Sequence, residues 1–337
     1  MTDTSGWASL GRKIIAPVLA VAVLVVGAHL WLNTNLFGGK DVCGGLVSTD
    51  SVDAVFSKSG RVSDRDGLDD RPGDRLAFTC TVENSSFLPG SDTKYLRISG
   101  SRERGDFPFT DNGRWPSPAT MSFFSGGAIG AVGSDHGWVL LPDACTTADG
   151  PAIIEGYAPE GSAPVKFTQL LTEFANSAAE RAGCAAEEPL TAPDALAAAP
   201  EARQVKDGVV CGLAGLEFPG PKGQTKVREM VLDRTSSTWS CEVTGHATYA
   251  VTQESHIVAG IRSSPGYKEQ SRVAGHQVSG FDARHVVADC AGTPTYFSME
   301  LGQDYTSAIG ESGAPRTKDL FENFVDVAGK RFGCNAH

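Results

Sequence analysis

The sequence predicts an α+β protein with an N-terminal transmembrane helix followed by two tandem disulfide-stapled modules, each a mainly antiparallel sheet with a C-terminal helix. Three observations predict it: an apolar run near the start, eight cysteines that all follow this run, and a repetition of the residues around those cysteines. The length of 337 residues allows about two domains of ordinary size. The formal charge of −11 excludes nucleic acid as an expected partner, because an acidic surface repels phosphate groups.

The apolar run extends from Ile14 to Leu32 and would form a helix roughly 28 Å long, close to the hydrocarbon thickness of a bilayer. Arg12 and Lys13 precede it, so the positive-inside bias predicts a cytoplasmic tail at residues 1–13 and places the rest of the chain outside the cell membrane. The expected partner of the run is therefore the lipid bilayer. The alternative is a secretory signal cleaved after residues 26–28, Val-Gly-Ala.

The cysteines point to an oxidising, extracytoplasmic location. Their number is even, and no pair is spaced as C-x-x-C, so structural disulfides are favoured over a metal or redox site. Four cysteines in each half permit three connectivities, of which we expect first with second and third with fourth. The expected bridges are Cys43–Cys80, Cys145–Cys184, Cys211–Cys241 and Cys290–Cys334.

The two halves of the exported part repeat one pattern. Residues 78–82, Phe-Thr-Cys-Thr-Val, match residues 239–243, Trp-Ser-Cys-Glu-Val, and this period of two predicts a half-buried strand with the sulfur on its inner face. Each half closes with a helix that has one apolar stripe and ends in Gly-Cys. We therefore expect a duplication. Its parts are module 1 at residues 43–184, a linker rich in Ala, Pro and Glu at 185–206, and module 2 at 207–337.

Further elements follow from the local patterns. A short helix capped by Ser48 is expected to carry Val52, Val55 and Phe56. Runs of β-branched and aromatic residues predict strands in both halves. They are 75–82, 95–99, 138–141 and 152–156 in the first, and 238–243, 256–261, 285–288 and 295–301 in the second.

A family resemblance rests on these features. The opening Cys-Gly with the STDSVDAVF segment after it, the (Phe/Trp)-x-Cys-x-Val strand and the helix ending in Gly-Cys resemble the disulfide-bonded α+β domains of actinobacterial exported envelope proteins. Those domains occur in lipoproteins of unassigned function and in sensor domains of membrane kinases, so the resemblance implies extracytoplasmic binding or sensing. The chain departs from them because Cys43 does not follow a lipoprotein signal and residues 1–13 are too few for a kinase.

Motifs that suggest chemistry receive plainer interpretations. Residues 133–137, Gly-Ser-Asp-His-Gly, hold the residue types of a hydrolytic triad, but adjacent side chains point apart, which favours a polar turn. The Gly-rich residues 126–133 lack the Lys-Ser/Thr end of a P-loop and indicate a flexible loop or a packing site for small residues. Residues 64–70 concentrate carboxylates that could bind calcium, but they lack the EF-hand order and are expected to form a solvated loop.

The sequence gives no catalytic, cofactor-binding or metal-binding residue. Four histidines of the second half are not spaced as zinc ligands. They are His246, His256, His276 and His285. The predicted function is a membrane-anchored, non-enzymatic binding, sensing or assembly protein of the cell envelope, and its partner protein or ligand is unknown. The alternatives are an exported envelope hydrolase whose site is not visible in sequence, and a purely structural subunit.

Overall fold

The computed structural model describes residues 5–58, 60–87, 92–110, 114–221, 226–232, 237–310 and 313–334, with side chains from residue 18 onward except at 37. The helices among these residues are α1 (Ser5–Asn33), α2 (Thr49–Asp53), α3 (Pro164–Ala182), α4 (Ser255–Ser263), α5 (Gln303–Ala308) and α6 (Thr317–Arg331).

The described strands fall into two groups along the chain. In the first half they are β1 (Asp41–Val42), β2 (Val47–Ser48), β3 (Arg61–Asp70), β4 (Phe78–Ser85), β5 (Lys94–Arg102), β6 (Ser122–Phe124), β7 (Gly130–Val132), β8 (His136–Leu140) and β9 (Ala152–Tyr157). In the second half they are β10 (Arg203–Gln204), β11 (Val209–Val210), β12 (Leu213–Ala214), β13 (Arg228–Leu232), β14 (Thr238–Val243), β15 (Ala247–Thr252), β16 (Lys268–Glu269), β17 (Val278–Asp282), β18 (His285–Cys290) and β19 (Thr293–Leu301).

Two large antiparallel sheets share one strand order. The first sheet runs β3-β4-β5-β9-β8-β7-β6, and the second runs β10-β13-β14-β15-β19-β18-β17-β16 within the described residues. Without its edge strand β10, the second sheet repeats the connections of the first, and each sheet is preceded by a small hairpin, β1-β2 or β11-β12. The repetition seen in the sequence thus corresponds to a repeated topology.

The strand registers align the two sheets residue by residue. Cys80 pairs with Ile98 in the first sheet, and Cys241 pairs with Tyr249 in the second, so Ile98 and Tyr249 are equivalent. Continuing across the central strands makes Trp138 of β8 equivalent to His285 of β18. The same alignment is used below to compare the faces of the two sheets.

The four expected disulfides are present, which confirms the pairing of first with second and third with fourth cysteine. Cys43 and Cys211 both have positive φ, 54° and 59°, at the same place in the two hairpins. A carboxylate accepts a hydrogen bond from each of their backbone nitrogens, from Asp64 at 2.8 Å and from Glu229 at 2.6 Å. The repeat therefore includes a polar contact that supports each left-handed turn.

The molecule is layered as helix, sheet, sheet, helix. Helix α3 packs its apolar stripe on one face of the first sheet, and Phe324 of α6 contacts Trp239, Tyr249 and Phe297 on one face of the second. The opposite faces of the two sheets meet in a third apolar core. Its members from the first half include Phe107, Phe109, Phe123, Trp138 and Ile153, and those from the second include Leu232, Ala250, Val287 and Tyr296.

Polar contacts also join the two halves. Asp106 is fully buried and accepts two hydrogen bonds from Arg104, at 2.5 and 2.8 Å, and one from the Tyr296 hydroxyl at 3.4 Å. The backbone nitrogen of Gly105 donates to Ser264 Oγ at 2.7 Å. A Cβ on Gly105 would lie 2.3 Å from the backbone of Gly260. The two backbone segments therefore approach so closely that only glycine fits at position 105.

The predicted transmembrane helix at Ile14 to Leu32 is contradicted. The chain is helical there, as part of α1, but within the described residues no helix has both the length and the apolar character needed to cross a bilayer. A span needs about 20 predominantly apolar residues.

In three further segments the structure differs from the expectation. Residues 256–261 form α4 instead of a strand, because Ile257, Val258 and Ile261 at helical spacing all point into the core between the sheets. Residues 64–70 are not a loop: they belong to β3, which has a bulge between Asp64 and Gly67. The segment 185–206 packs on the first half through Leu190 and Leu196 before it enters β10.

Candidate functional site

The candidate site is a polar surface on the first sheet. Side chains alternate along β4 and β5, so Thr79, Arg97, Ser99 and Ser101 lie on the face turned away from α3. The apolar residues between them, such as Ile98, lie in the core beneath α3. We call these four residues the open floor, because they remain half-buried or exposed at the surface.

The open floor lines a groove of about 1010 Å³. Charged side chains of both signs surround it. They include Asp69, Asp74 and Asp149 and the arginines Arg71, Arg102 and Arg114. Asp74 pairs with Arg102 at 3.1 Å, so part of this charge is neutralised within the wall. The groove is polar, and its lining has six acidic residues and four arginines. Such a lining suits a ligand rich in hydrogen-bonding groups more than an apolar one.

A buried polar cluster forms the inner border of the groove. Glu155 is 2% exposed, and its carboxylate accepts hydrogen bonds from His136 Nε2 at 2.9 Å, from the Tyr157 hydroxyl at 2.8 Å, and from Arg114. Arg114 also pairs with Glu103 at 2.7 Å and stacks over the ring of Trp115 at 4.7 Å. These contacts fix the orientation of Arg114 and Tyr157, which line the groove together with Glu103 and Glu155.

The cluster keeps Glu155 ionised. Burial raises its pKa, but hydrogen bonds from His136, Arg114 and Tyr157 outweigh burial and hold the pKa below its usual range. The pKa of Tyr157 rises to about 12 because of burial and its hydrogen bond to Glu155. Tyr157 therefore stays a hydrogen-bond donor at neutral pH, while its ring remains 40% exposed beside the open floor.

The equivalent face of the second sheet is covered. By the register alignment, Ser240, Ala250 and Thr252 take the places of Thr79, Ser99 and Ser101, and each is at most 1% exposed. Residues 114–121, which follow β5 in the first half, contact β13, β14 and β15 through the turn Pro118–Thr120. We call residues 114–121 the covering segment. One copy of this face is thus filled by the chain itself, and the other is open.

The triad-like motif does not assemble a triad. Ser134 and Asp135 lie in an exposed turn, where their side chains bond to each other at 3.2 Å. His136 begins β8, is 3% exposed, and directs its ring to Glu155 on the other side. Its Nδ1 is a buried atom that has no hydrogen-bond partner among the described residues. The turn was predicted, but the role of His136 in supporting the groove was not.

The glycine-rich segment is a packing site. A Cβ on Gly127 would lie 2.6 Å from the backbone of Thr191, and one on Gly130 would lie 2.2 Å from the carbonyl of Trp138. The small residues therefore admit the segment 185–206 on one side and a neighbouring strand on the other. This agrees with the packing interpretation of residues 126–133.

Carboxylates and cysteines approach each other twice within the described residues, at Asp64 with Cys43 and Cys80 and at Glu229 with Cys211 and Cys241. The sulfurs are in disulfides and each carboxylate accepts from a backbone nitrogen, so both groups are explained as structural. Among His246, His256, His276 and His285, the most constrained is His285, because it bonds to Asp282 at 2.9 Å and to Glu300 at 3.0 Å.

Sequence reasoning did not find Arg97, Arg114, Glu155 or Tyr157. The one available signal was the alternation of polar and apolar side chains at positions 96–101. By itself, this alternation indicates only that one face of the strand is exposed to solvent. Comparison with protein-family models, with curated proteins and with solved structures found no match for this chain.

Proposed function

We propose that the chain is a non-enzymatic, extracytoplasmic binding protein of the cell envelope, and that its binding site is the open floor. The observation that carries the proposal is the contrast between the two equivalent sheet faces, one filled by the covering segment and one open and polar. The disulfides support an oxidising location. The resemblance to actinobacterial exported domains, which implies binding or sensing, stays a prediction.

The site has the groups that a binding protein needs. Arg97 is exposed and brings a planar array of donors, and Ser99 and Ser101 add hydroxyls that donate and accept. The buried Glu155 cluster holds the border of the groove in place, so little order has to be gained on binding. His136 and Glu155 are buried and mutually bonded, and we assign them a positioning role.

The test is a titration of the full-length chain monitored by calorimetry. Three probes are used: a tetrasaccharide of N-acetylglucosamine, a proline-containing octapeptide and inorganic phosphate. We expect saturable binding of at least one probe. Arg97→Ala should weaken it by about tenfold, the contribution of one charge-assisted hydrogen bond.

The matched control is Arg316→Ala, because Arg316 is exposed in the second half and bonds only to the neighbouring Asp319 among the contacts described. It should leave affinity within about twofold. Binding that Arg97→Ala and Ser99→Phe both leave unchanged would place the site elsewhere, and failure of all three probes would count against the proposal. Turnover of a probe would show an enzyme instead.

A further inference from the structure

A cavity of about 220 Å³ lies between the covering segment and one end of the covered face of the second sheet. Residues of the first half, among them Trp115 and Pro118, form its roof, and residues of β14, β15 and β19 form its floor. The volume corresponds to roughly seven atoms of the size of a water molecule, so the cavity admits only a small ligand. Both halves of the chain therefore contribute to one small cavity.

The floor of this cavity is acidic. Glu242 of β14 pairs with Thr248 of β15, and Thr248 pairs with Glu300 of β19, so the three side chains form one row on the same face of the sheet. The described lining includes neither Lys nor Arg, and its remaining titratable residue, His246, donates from Nδ1 to the Thr244 carbonyl at 2.9 Å. This distribution of charge favours a cationic ligand.

The shared topology does not account for the two carboxylates. By the register alignment, Glu242 takes the place of Thr81 in the first sheet, and Glu300 takes the place of Tyr157. The first sheet thus forms the same strands without an acidic residue at either position. The acidic row is a property of the second sheet, where the covering segment closes over it.

The two carboxylates differ in their partners. Glu300 bonds to His285 at 3.0 Å and lies 3.9 Å from Arg284, and neither of these two residues lines the cavity. Glu242 is half-buried, and its carboxylate has no hydrogen bond or ion pair to the residues that the structure describes. A partly buried carboxylate without a partner is unfavourable, and a bound cation removes that cost. Glu242 is therefore the charge that a ligand has to match.

The roof of the cavity supplies aromatic rings. Phe109 and Trp115 both line it, and both side chains are at most 7% exposed. The faces of aromatic rings attract organic cations, and quaternary ammonium groups are recognised in this way. A calcium ion instead needs about six to eight oxygen ligands, and the rings of the roof offer none. Aromatic rings opposite a carboxylate therefore suit an ammonium compound better than a metal ion.

We propose that this cavity binds a small organic cation with an ammonium group, which pairs with Glu242 and packs against Phe109 and Trp115. The inference goes beyond the proposed function and does not depend on it, because the open floor belongs to the first sheet. The covering segment is then part of a ligand site. Since the ligand contacts both halves, its binding stabilises the folded chain.

The test is a calorimetric titration of the full-length chain with choline and with dimethylbutanol, its uncharged carbon analogue. We expect choline to bind at least about tenfold more tightly than the alcohol, because only choline carries the charge. Glu242→Gln should weaken choline binding by about tenfold, since it removes the negative charge and keeps the shape. The matched control is Glu322→Gln, because Glu322 lies on α6 and pairs with Lys318 at 3.8 Å.

Two further variants locate the site. Thr248→Phe should abolish choline binding because its ring fills the cavity, and Arg97→Ala on the open floor should leave the affinity within about twofold. Urea unfolding of each variant shows whether it is folded, and the comparison of choline with the alcohol on the wild type does not depend on any variant. The inference is overturned if choline does not bind saturably, if the alcohol binds equally well, if folded Glu242→Gln binds choline as the wild type does, or if Arg97→Ala abolishes binding.

Discussion

The equivalent faces of the two sheets differ in their exposure to solvent. In the second sheet, Ala250 and its neighbours are sealed by the covering segment, whereas in the first sheet Ser99 and its neighbours line an open groove. The strand order and register are shared, so the difference arises in the connections that follow β5 and β15. The first connection contains the turn Pro118–Thr120, and the second contains the helix α4. A duplicated fold can thus keep its scaffold and differ in exposure through one loop.

The largest expected effect comes from placing one charged side chain on both faces. Ala250→Arg should lower the free energy of unfolding by about 3–4 kcal/mol, because it overpacks a site that is 1% exposed and buries a charge. Ser99→Arg, at the equivalent open position, should cost less than about 1 kcal/mol. Urea denaturation measures both, and equal losses would show that the two faces are not differently covered.

A smaller effect is expected where the two connections touch. Gly105→Ala should cost about 2 kcal/mol, because the new Cβ would overlap the backbone of Gly260 at 2.3 Å. Gly310→Ala is the matched control, since no described atom lies within 4 Å of its added Cβ. It should cause no loss. A neutral Gly105→Ala variant would mean that α4 is not held closely against the first half.

The last prediction concerns the dependence of stability on pH. His285 occupies the position of Trp138, and although burial lowers its pKa, Asp282 and Glu300 raise it from 6.5 to about 9. The folded state therefore binds this proton more tightly, and the resulting stability is fully present below pH 6.5 and is lost as pH rises through 9.

The measurement is urea unfolding of the wild type and of His285→Gln between pH 5 and 10. The difference in the free energy of unfolding between the two proteins should become smaller as pH rises through 9. Asp282, whose pKa falls to about 2 despite burial because of His285 and Arg284, contributes stability present above pH 3.8 and lost as pH falls towards 2. An unchanged difference over the alkaline range would contradict the assigned ion pairs.

Much of the fold follows from local patterns. Period-two runs around Cys80 and Cys241 predicted β4 and β14, and the apolar stripes before Cys184 and Cys334 predicted α3 and α6. The pattern of residues 256–261 fits both periods, and only the apolar core between the sheets favours the helix. The charged residues of β3 look like a loop because an edge strand with a bulge is solvated on much of its surface.

The site was less accessible to sequence reasoning. Glu155, His136 and Arg114 come from two strands and a connection, and only the tertiary structure makes them one cluster. Polar and apolar residues alternate along the strands of the open floor, as they do on any sheet face that is exposed to solvent. Its significance comes from comparison with the second sheet, and that comparison needs the strand registers and the path of residues 114–121.

The shared core between the sheets has a consequence for biogenesis. Phe123 and Trp138 are synthesised long before Val287 and Tyr296, which cover them. Until the second sheet has folded, the first half therefore exposes an apolar surface that promotes aggregation. Each half buries its part of this core only against the other, so neither half is expected to be stable as a separate fragment.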